Sequence, residues 1–161
     1  MTDLAQSNVA AGRVLVVDDE EAIREIVASM LVEAGFECRE ATSGLEALRL
    51  LESGERFDLM LCDLIMNGLD GVALLERTKI AYPDMPVVIG SAVQDVSVIL
   101  ACLRHGAYDY LLYPFNGPEE LVDVVGRALE DQRSKQEHRA YVSRLETRVA
   151  ELTERLRVET S

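Results

Sequence analysis

Four places in the chain hold side chains able to do chemistry together: the run Asp18-Asp19-Glu20, Asp63, the pair Ser91-Ala92, and Tyr113-Pro114-Phe115. Each closes a short apolar run: RVLVVD, FDLMLC, PVVIG and YDYLLY. A single aspartate at such a place ordinarily makes a turn or caps a helix. Three brought to one rim would repel one another, and a hard divalent cation with oxygen ligands is the simplest relief. Mg²⁺ suits that set, because it takes few carboxylates, keeps waters and recruits phosphoryl oxygens. Whether the groups meet depends on the elements that hold them.

Those elements alternate along the chain. RVLVVD (13–18) is too brief and too β-branched for a helix and reads as a strand. Ile23, Ile26, Val27, Met30 and Leu31 then recur at helical spacing over 20–34, with Gly35 as terminator. FECREA (36–41) reads as a second strand, and Ser43 with Glu46 is a capping-box pattern opening a helix that runs to Gly54. FDLMLC (57–62) is apolar nearly throughout, as a strand buried on both faces should be. A helix over 71–81, a strand over 86–90, a helix over 95–105 closed by Gly106 and a strand over 108–113 follow. Asn116, Gly117 and Pro118 open the last helix. Five βα units of roughly 20–25 residues predict a doubly wound α/β fold, a parallel sheet covered by helices on both faces. Functional groups in such folds collect beyond the carboxyl ends of the strands, where the acidic run, Asp63 and Ser91 all fall.

The bulk numbers narrow the function classes. With 29 acidic and 16 basic residues the net charge is −13, which disfavours nucleic acid and anionic lipid as partners. No run approaches the ~18 apolar residues of a membrane span, and MTDLAQSNVAAG lacks the features of a signal peptide. Cys38, Cys62 and Cys102 match neither a disulfide framework nor a zinc site and read as reduced core or near-core thiols. The expectation is a cytoplasmic protein with a flexible leader (1–12), one domain (13–130) and a helical appendage (131–161).

The segments VLVVDDEEAIRE, DLMLCDLIMNGLDG, PVVIGSA and GAYDYLLYPF resemble, in order and spacing, the CheY-like receiver domain of two-component response regulators, across essentially all of 13–130. The resemblance implies a flavodoxin-like, five-stranded parallel sheet of order 2-1-3-4-5. It implies that Asp63 accepts a phosphoryl group from a histidine kinase or phosphotransfer protein. It makes Asp19 a direct Mg²⁺ ligand, Asp18 an acidic neighbour acting largely through water, and the carbonyl of Ile65 a backbone metal ligand. The Ser91 hydroxyl and the Ala92 N–H would contact the phosphoryl group, and Tyr110 would be the switch aromatic. Movement of Ser91 toward an acyl phosphate would free space for Tyr110 and shift a two-state equilibrium. Such a domain is a regulatory phosphoacceptor, not an enzyme beyond Mg²⁺-dependent self-phosphorylation and autodephosphorylation.

Three departures bear on that expectation. Tyr113 stands where the family has a lysine, so the pocket loses its fixed positive charge; a tyrosine is neutral near pH 7 and donates one hydrogen bond. The pocket should then depend more on Mg²⁺, and phosphorylation or its coupling to the switch should be weaker, unless Tyr113 merely packs over the rim. Asn67 replaces the usual proline after Met66 and should loosen the loop after Asp63. Ile65 and Val93, at positions often polar, should impede an attacking water and prolong the life of any phosphoryl-aspartate.

Beyond Pro118 the helix does not stop where the domain should. Val142, Leu145, Val149, Leu152 and Leu156 repeat at 3–4 spacing, a coiled-coil seam of about two heptads, whereas 131–139 is polar all round. The tail therefore reads either as a dimerising helix that passes the state to an output domain beyond residue 161, or as a solvated linker. His138 in that polar stretch has little claim to phosphotransfer, and His105 falls at a helix terminus. A nucleotide or flavin binder on the same topology is disfavoured, since the acidic run after the first strand repels phosphate. A receiver-like interaction module that is never phosphorylated stays open as the alternative because of Tyr113.

Overall fold

The computed structural model describes residues 11–160, so the leader expected over 1–12 lies, up to residue 10, outside the described residues. Ala11 and Gly12 are tied down: Ala11 N–H donates to the Gly35 carbonyl at 3.1 Å, and the Gly12 carbonyl accepts from Glu37 N–H at 2.9 Å. The chain divides between Leu129 and Glu130 into two compact units.

The first unit holds the strands β1 (Arg13–Val17), β2 (Glu37–Ala41), β3 (Leu59–Cys62), β4 (Val87–Ser91) and β5 (Asp109–Leu112). They form one parallel sheet of order β2-β1-β3-β4-β5, the flavodoxin-like order expected. The helices are α1 (Glu21–Glu33), α2 (Gly44–Glu52), α3 (Gly71–Ala81), α4 (Val96–Arg104) and α5 (Pro118–Thr160), the last continuing into the second unit. Side chains alternate along each strand, so each strand feeds two cores. Leu15, Val17, Met60, Cys62, Val87 and Ile89 pack with Ala47, Leu51, Leu74, Leu75 and Cys102 of α2, α3 and α4. Val14, Val16, Leu59, Leu61, Val88 and Leu111 pack with Val27 and Leu31 of α1 and Leu121, Val125 and Ala128 of α5. This is why the central strands are apolar nearly throughout: neither face meets water.

Helix ends follow the local chemistry read from the sequence. Ser43 Oγ accepts from Glu46 N–H at 3.1 Å, but the Glu46 carboxylate accepts the Thr42 hydroxyl at 2.7 Å, so the capping box is only half formed. Asp70 and Asp95 cap α3 and α4 through Ala73 N–H (2.8 Å) and Ser97 N–H (2.9 Å), the ordinary work of an aspartate at such a place. Gly35 and Gly106 adopt positive φ, 99° and 104°, after the helices they terminate.

Cys62 and Cys102 are buried and Cys38 is half-buried; all three are free. Burial, with Glu40 and Glu37 nearby, pushes the Cys38 thiol up to about 11, and burial followed by the charge of Asp63 pushes Cys62 up as well. Burial thus favours the protonated thiol at both positions at neutral pH. Among the described residues, no helix is long and apolar enough to cross a membrane.

Described by itself, the second unit is helical over residues 130–160. It carries the i,i+3 ion pairs Arg148–Glu151 (3.3 Å) and Arg157–Glu154 (2.8 Å) and exposes Leu145, Val149 and Leu152.

Candidate functional site

Sheet order brings the separate sequence positions together. Register pairs Val17 with Cys62 and Cys62 with Ile89, so Asp18 and Asp63 each sit one residue beyond neighbouring strands and Ser91 closes the next. Asp63 N–H donates to the Val17 carbonyl at 3.2 Å, and Tyr113 N–H to the Ser91 carbonyl at 2.9 Å, which aligns the four strand ends. Between them lies a cavity of about 170 Å³. Asp18, Glu20, Asp63, Ile65, Ser91, Ala92 and Tyr113 form its rim, and Val16, Val27, Leu61 and Phe115 its apolar floor.

The rim is electrostatically one-sided. No lysine or arginine lines it, and Asp18 is 7% exposed. Burial, with Asp63, Asp19 and Glu20 adding repulsion, raises the Asp18 pKa to about 6, against the opposing effect of the Glu20 N–H that donates to Asp18 Oδ1 at 2.9 Å. Asp63 Oδ1 accepts the N–H of Leu64 at 2.7 Å. Asp19 does not line the cavity: its Oδ2 accepts Asn67 N–H at 3.2 Å, which ties it to the loop after Asp63. Among the described residues, no three Asp, Glu, His or Cys side chains are grouped to hold a metal ion as they stand. The donor set fits a hard cation in charge and ligand type, and one oxygen of Asp19 is engaged by Asn67 N–H in this structure.

Around Ser91 the neighbouring side chains are joined by hydrogen bonds. The Tyr110 hydroxyl donates to the Val93 carbonyl at 2.6 Å, and Ser91 Oγ accepts Val93 N–H at 3.3 Å. Burial raises the Tyr110 pKa, and its hydroxyl's hydrogen bond with Ser91 partly offsets the rise. Tyr110 thus already reaches the Ser91–Val93 segment. Val93 packs against the α2–α4 core and does not border the cavity, because its apolar side chain gains more by burial. Ile65, 69% exposed, lines the cavity. Tyr113 is half-buried and meets Phe115 edge to face at 5.3 Å, so the residue at the lysine position packs on the rim and brings no charge.

Two residues escaped the sequence reading. Arg24 on α1 is buried; its Nη1 donates to the Asp18 carbonyl at 2.9 Å and its Nε pairs with Glu40 at 3.0 Å, so it fixes the backbone of Asp18. An arginine among the apolar positions of α1 was the available signal. Gly71 packs against the backbone of Asp63 and Leu64, where a Cβ would lie 2.6 Å from Leu64 Cα and closer still to the Asp63 carbonyl oxygen. Its N–H also donates to the Leu64 carbonyl at 2.9 Å, which locks the loop carrying Asp63.

A 2-1-3-4-5 parallel sheet with an aspartate beyond its third strand, an acidic neighbour beyond its first and a hydroxyl at the end of its fourth defines a regulatory domain of two-component signalling. The chain belongs to the response regulator receiver domain family, whose model matches residues 14–126. It is 38% identical over 128 residues to the DNA-binding transcriptional regulator NtrC of Escherichia coli (strain K12), covering 80% of this chain and 27% of that protein. It is 37% identical over 127 residues to the putative response regulator NtrX-like of Rickettsia felis, covering 78% of this chain and 26% of that one. The chain thus spans about a quarter of these curated relatives. Among solved structures, NtrX from Brucella abortus superposes with a TM-score of 0.76 at 36% identity, covering 81% of this chain and 29% of that one. The CheY-like receiver domain protein from Methanospirillum hungatei JF-1 superposes with a TM-score of 0.72 at 28% identity, covering 76% and 97%.

Proposed function

We propose that Asp63 accepts a phosphoryl group from a histidine kinase or phosphotransfer protein and that the state formed is relayed through α5. The observation that carries this is the shared cavity: Asp63, the buried Asp18 and Ser91 face one space that has anions and a hydroxyl but no fixed cation. In the transfer, an Asp63 carboxylate oxygen forms the new bond to phosphorus as the phosphorus–nitrogen bond to the donor histidine breaks, and the departing imidazole takes up a proton. Asp18, Asp19, Asp63 and the Ile65 carbonyl would hold Mg²⁺, which neutralises charge on the transferring group. The Ser91 hydroxyl and Ala92 N–H are the donors for the phosphoryl oxygens, and Tyr110, bonded to the same segment, senses their movement.

Incubating the chain with a small phosphodonor and Mg²⁺, then measuring intact mass, tests this reading. One added phosphoryl group, lost in Asp63→Asn, is the expected result. The packing of Tyr113 on Phe115 favours the second reading, an interaction module that works without phosphorylation. No mass gain under conditions that fully modify an ordinary receiver would select it.

A further inference from the structure

We propose that the cavity at the strand ends binds a small organic cation, an ammonium group carrying an apolar tail of about four to six carbons. The proposal does not rest on phosphoryl transfer to Asp63. Part of the space is owed to Gly90 in β4, which has no side chain where the strand passes Leu61 and Phe115. A Cβ there would lie 3.5 Å from Leu61 Cδ1 and from Phe115 Cζ, in ordinary contact, so a side chain would fit but would occupy the cavity. Val16, Val27, Leu61 and Phe115 wall what glycine leaves open with apolar surface. The volume, about 170 Å³, exceeds that of the ~150 Å³ apolar cavity that takes up a benzene molecule.

Rim and floor together select the occupant. Asp18 is buried; its Oδ1 accepts Glu20 N–H, and its Oδ2 accepts no hydrogen bond among the described residues. Asp63 lines the same space, and no lysine or arginine does, so carboxylate charge stands there without a counter-charge. An anion is repelled, and a neutral apolar molecule leaves the buried carboxylate unmatched. A hydrated divalent ion can sit on the rim but gains nothing from the apolar floor beneath it. An alkylammonium satisfies both. Its three N–H donors meet the Asp18 and Asp63 oxygens, the Tyr113 ring attracts its charge, and its tail leaves water for the floor.

The test is a titration of the full chain with n-butylammonium chloride, followed by the amide NMR signals of Gly90, Ser91 and Ala92. It is run with divalent metal chelated at pH 8, where Asp18, its pKa raised to about 6, is ionised. Saturable, one-site shifts of these amides are the expected result. A buried methylene is worth about fourfold in affinity. Methylammonium, three carbons shorter, is therefore expected to bind at least tenfold more weakly. The same loss is expected for n-butanol, which keeps the tail and lacks the charge. Gly90→Val fills the space from inside and is expected to weaken n-butylammonium at least tenfold, with circular dichroism confirming the fold; the ligand series decides the matter should this variant not fold. The proposal is overturned by an absence of saturable shifts, by shifts confined to other amides, or by equal affinity for n-butylammonium and either control. Parent-like binding by a folded Gly90→Val chain overturns it as well.

Discussion

Gly71→Ala tests the idea that Asp63 is held by backbone packing, because two effects of opposite sign compete there. Alanine at the start of a helix gains from conformational entropy, by ~0.4–1 kcal/mol. Against this, the new Cβ would stand 2.6 Å from Leu64 Cα and closer to the Asp63 carbonyl oxygen, whereas ordinary contact begins at 3.4 Å. The obstructing atoms are backbone and cannot rotate away, so Leu64 and Asp63 must shift. Overpacking of this kind costs ~1–3 kcal/mol, and clash with fixed backbone belongs at the upper end. The net expectation is a loss of about 1–2 kcal/mol, or a thermal midpoint lower by roughly 4–8 °C at ~4 °C per kcal/mol. Gly126→Ala is the internal control: it lies within α5 with no atom within 4 Å of its Cβ position, so it should stabilise by up to ~1 kcal/mol. Urea and thermal unfolding of both variants, followed by circular dichroism, give the comparison. Equal stabilisation by the two alanines would refute the claim that Gly71 is required by contact with the Asp63 loop.

Other consequences follow from the rim. The Asp18 pKa is raised from 3.8 to about 6, so its ionisation disfavours the folded state: stability is full below the unfolded value and falls as pH rises between about 4 and 6. Asp18→Asn, which keeps the oxygen for Glu20 N–H, should stabilise the metal-free protein by ~1–3 kcal/mol at pH 8 and little at pH 4, as read from urea midpoints; a gain independent of pH would contradict this. Asn67→Pro removes the N–H that Asp19 accepts and should tighten Mg²⁺ binding about fivefold by titration calorimetry, the worth of one such hydrogen bond. Unchanged affinity in the variant, with binding seen in the parent, would show that the bond does not hold Asp19 away. Tyr113→Lys returns a cation to the rim and should raise the initial rate of phosphorylation by a small donor about tenfold or more. An unchanged rate would mean that the missing charge does not limit transfer.

Much of the fold was legible because its causes are local. Alternating strand and helix patterns, the Ser43 cap, and Gly35 and Gly106 as terminators all act within a few residues and reappear with boundaries shifted by a residue or two. The rule that groups gather at strand ends was enough to nominate Asp18, Asp63 and Ser91, and each lines the cavity. The orientation of individual side chains was not legible. Val93 and Ile65 look alike in sequence, yet one packs half-buried against the core and the other is exposed at the rim.

By itself, then, the sequence determined the order of the elements, the acidic character of the rim and the absence of a cation at Tyr113, since these depend on residue type and period. Only the tertiary structure decided that Asp19 is tied to Asn67 and that Arg24 grips the backbone of Asp18. It alone decided that Gly71 braces Asp63 and that an apolar cavity lies beneath the charges. Those facts arise where residues far apart in the chain compete for the same space and the same hydrogen bonds, and no local pattern records the outcome of that competition.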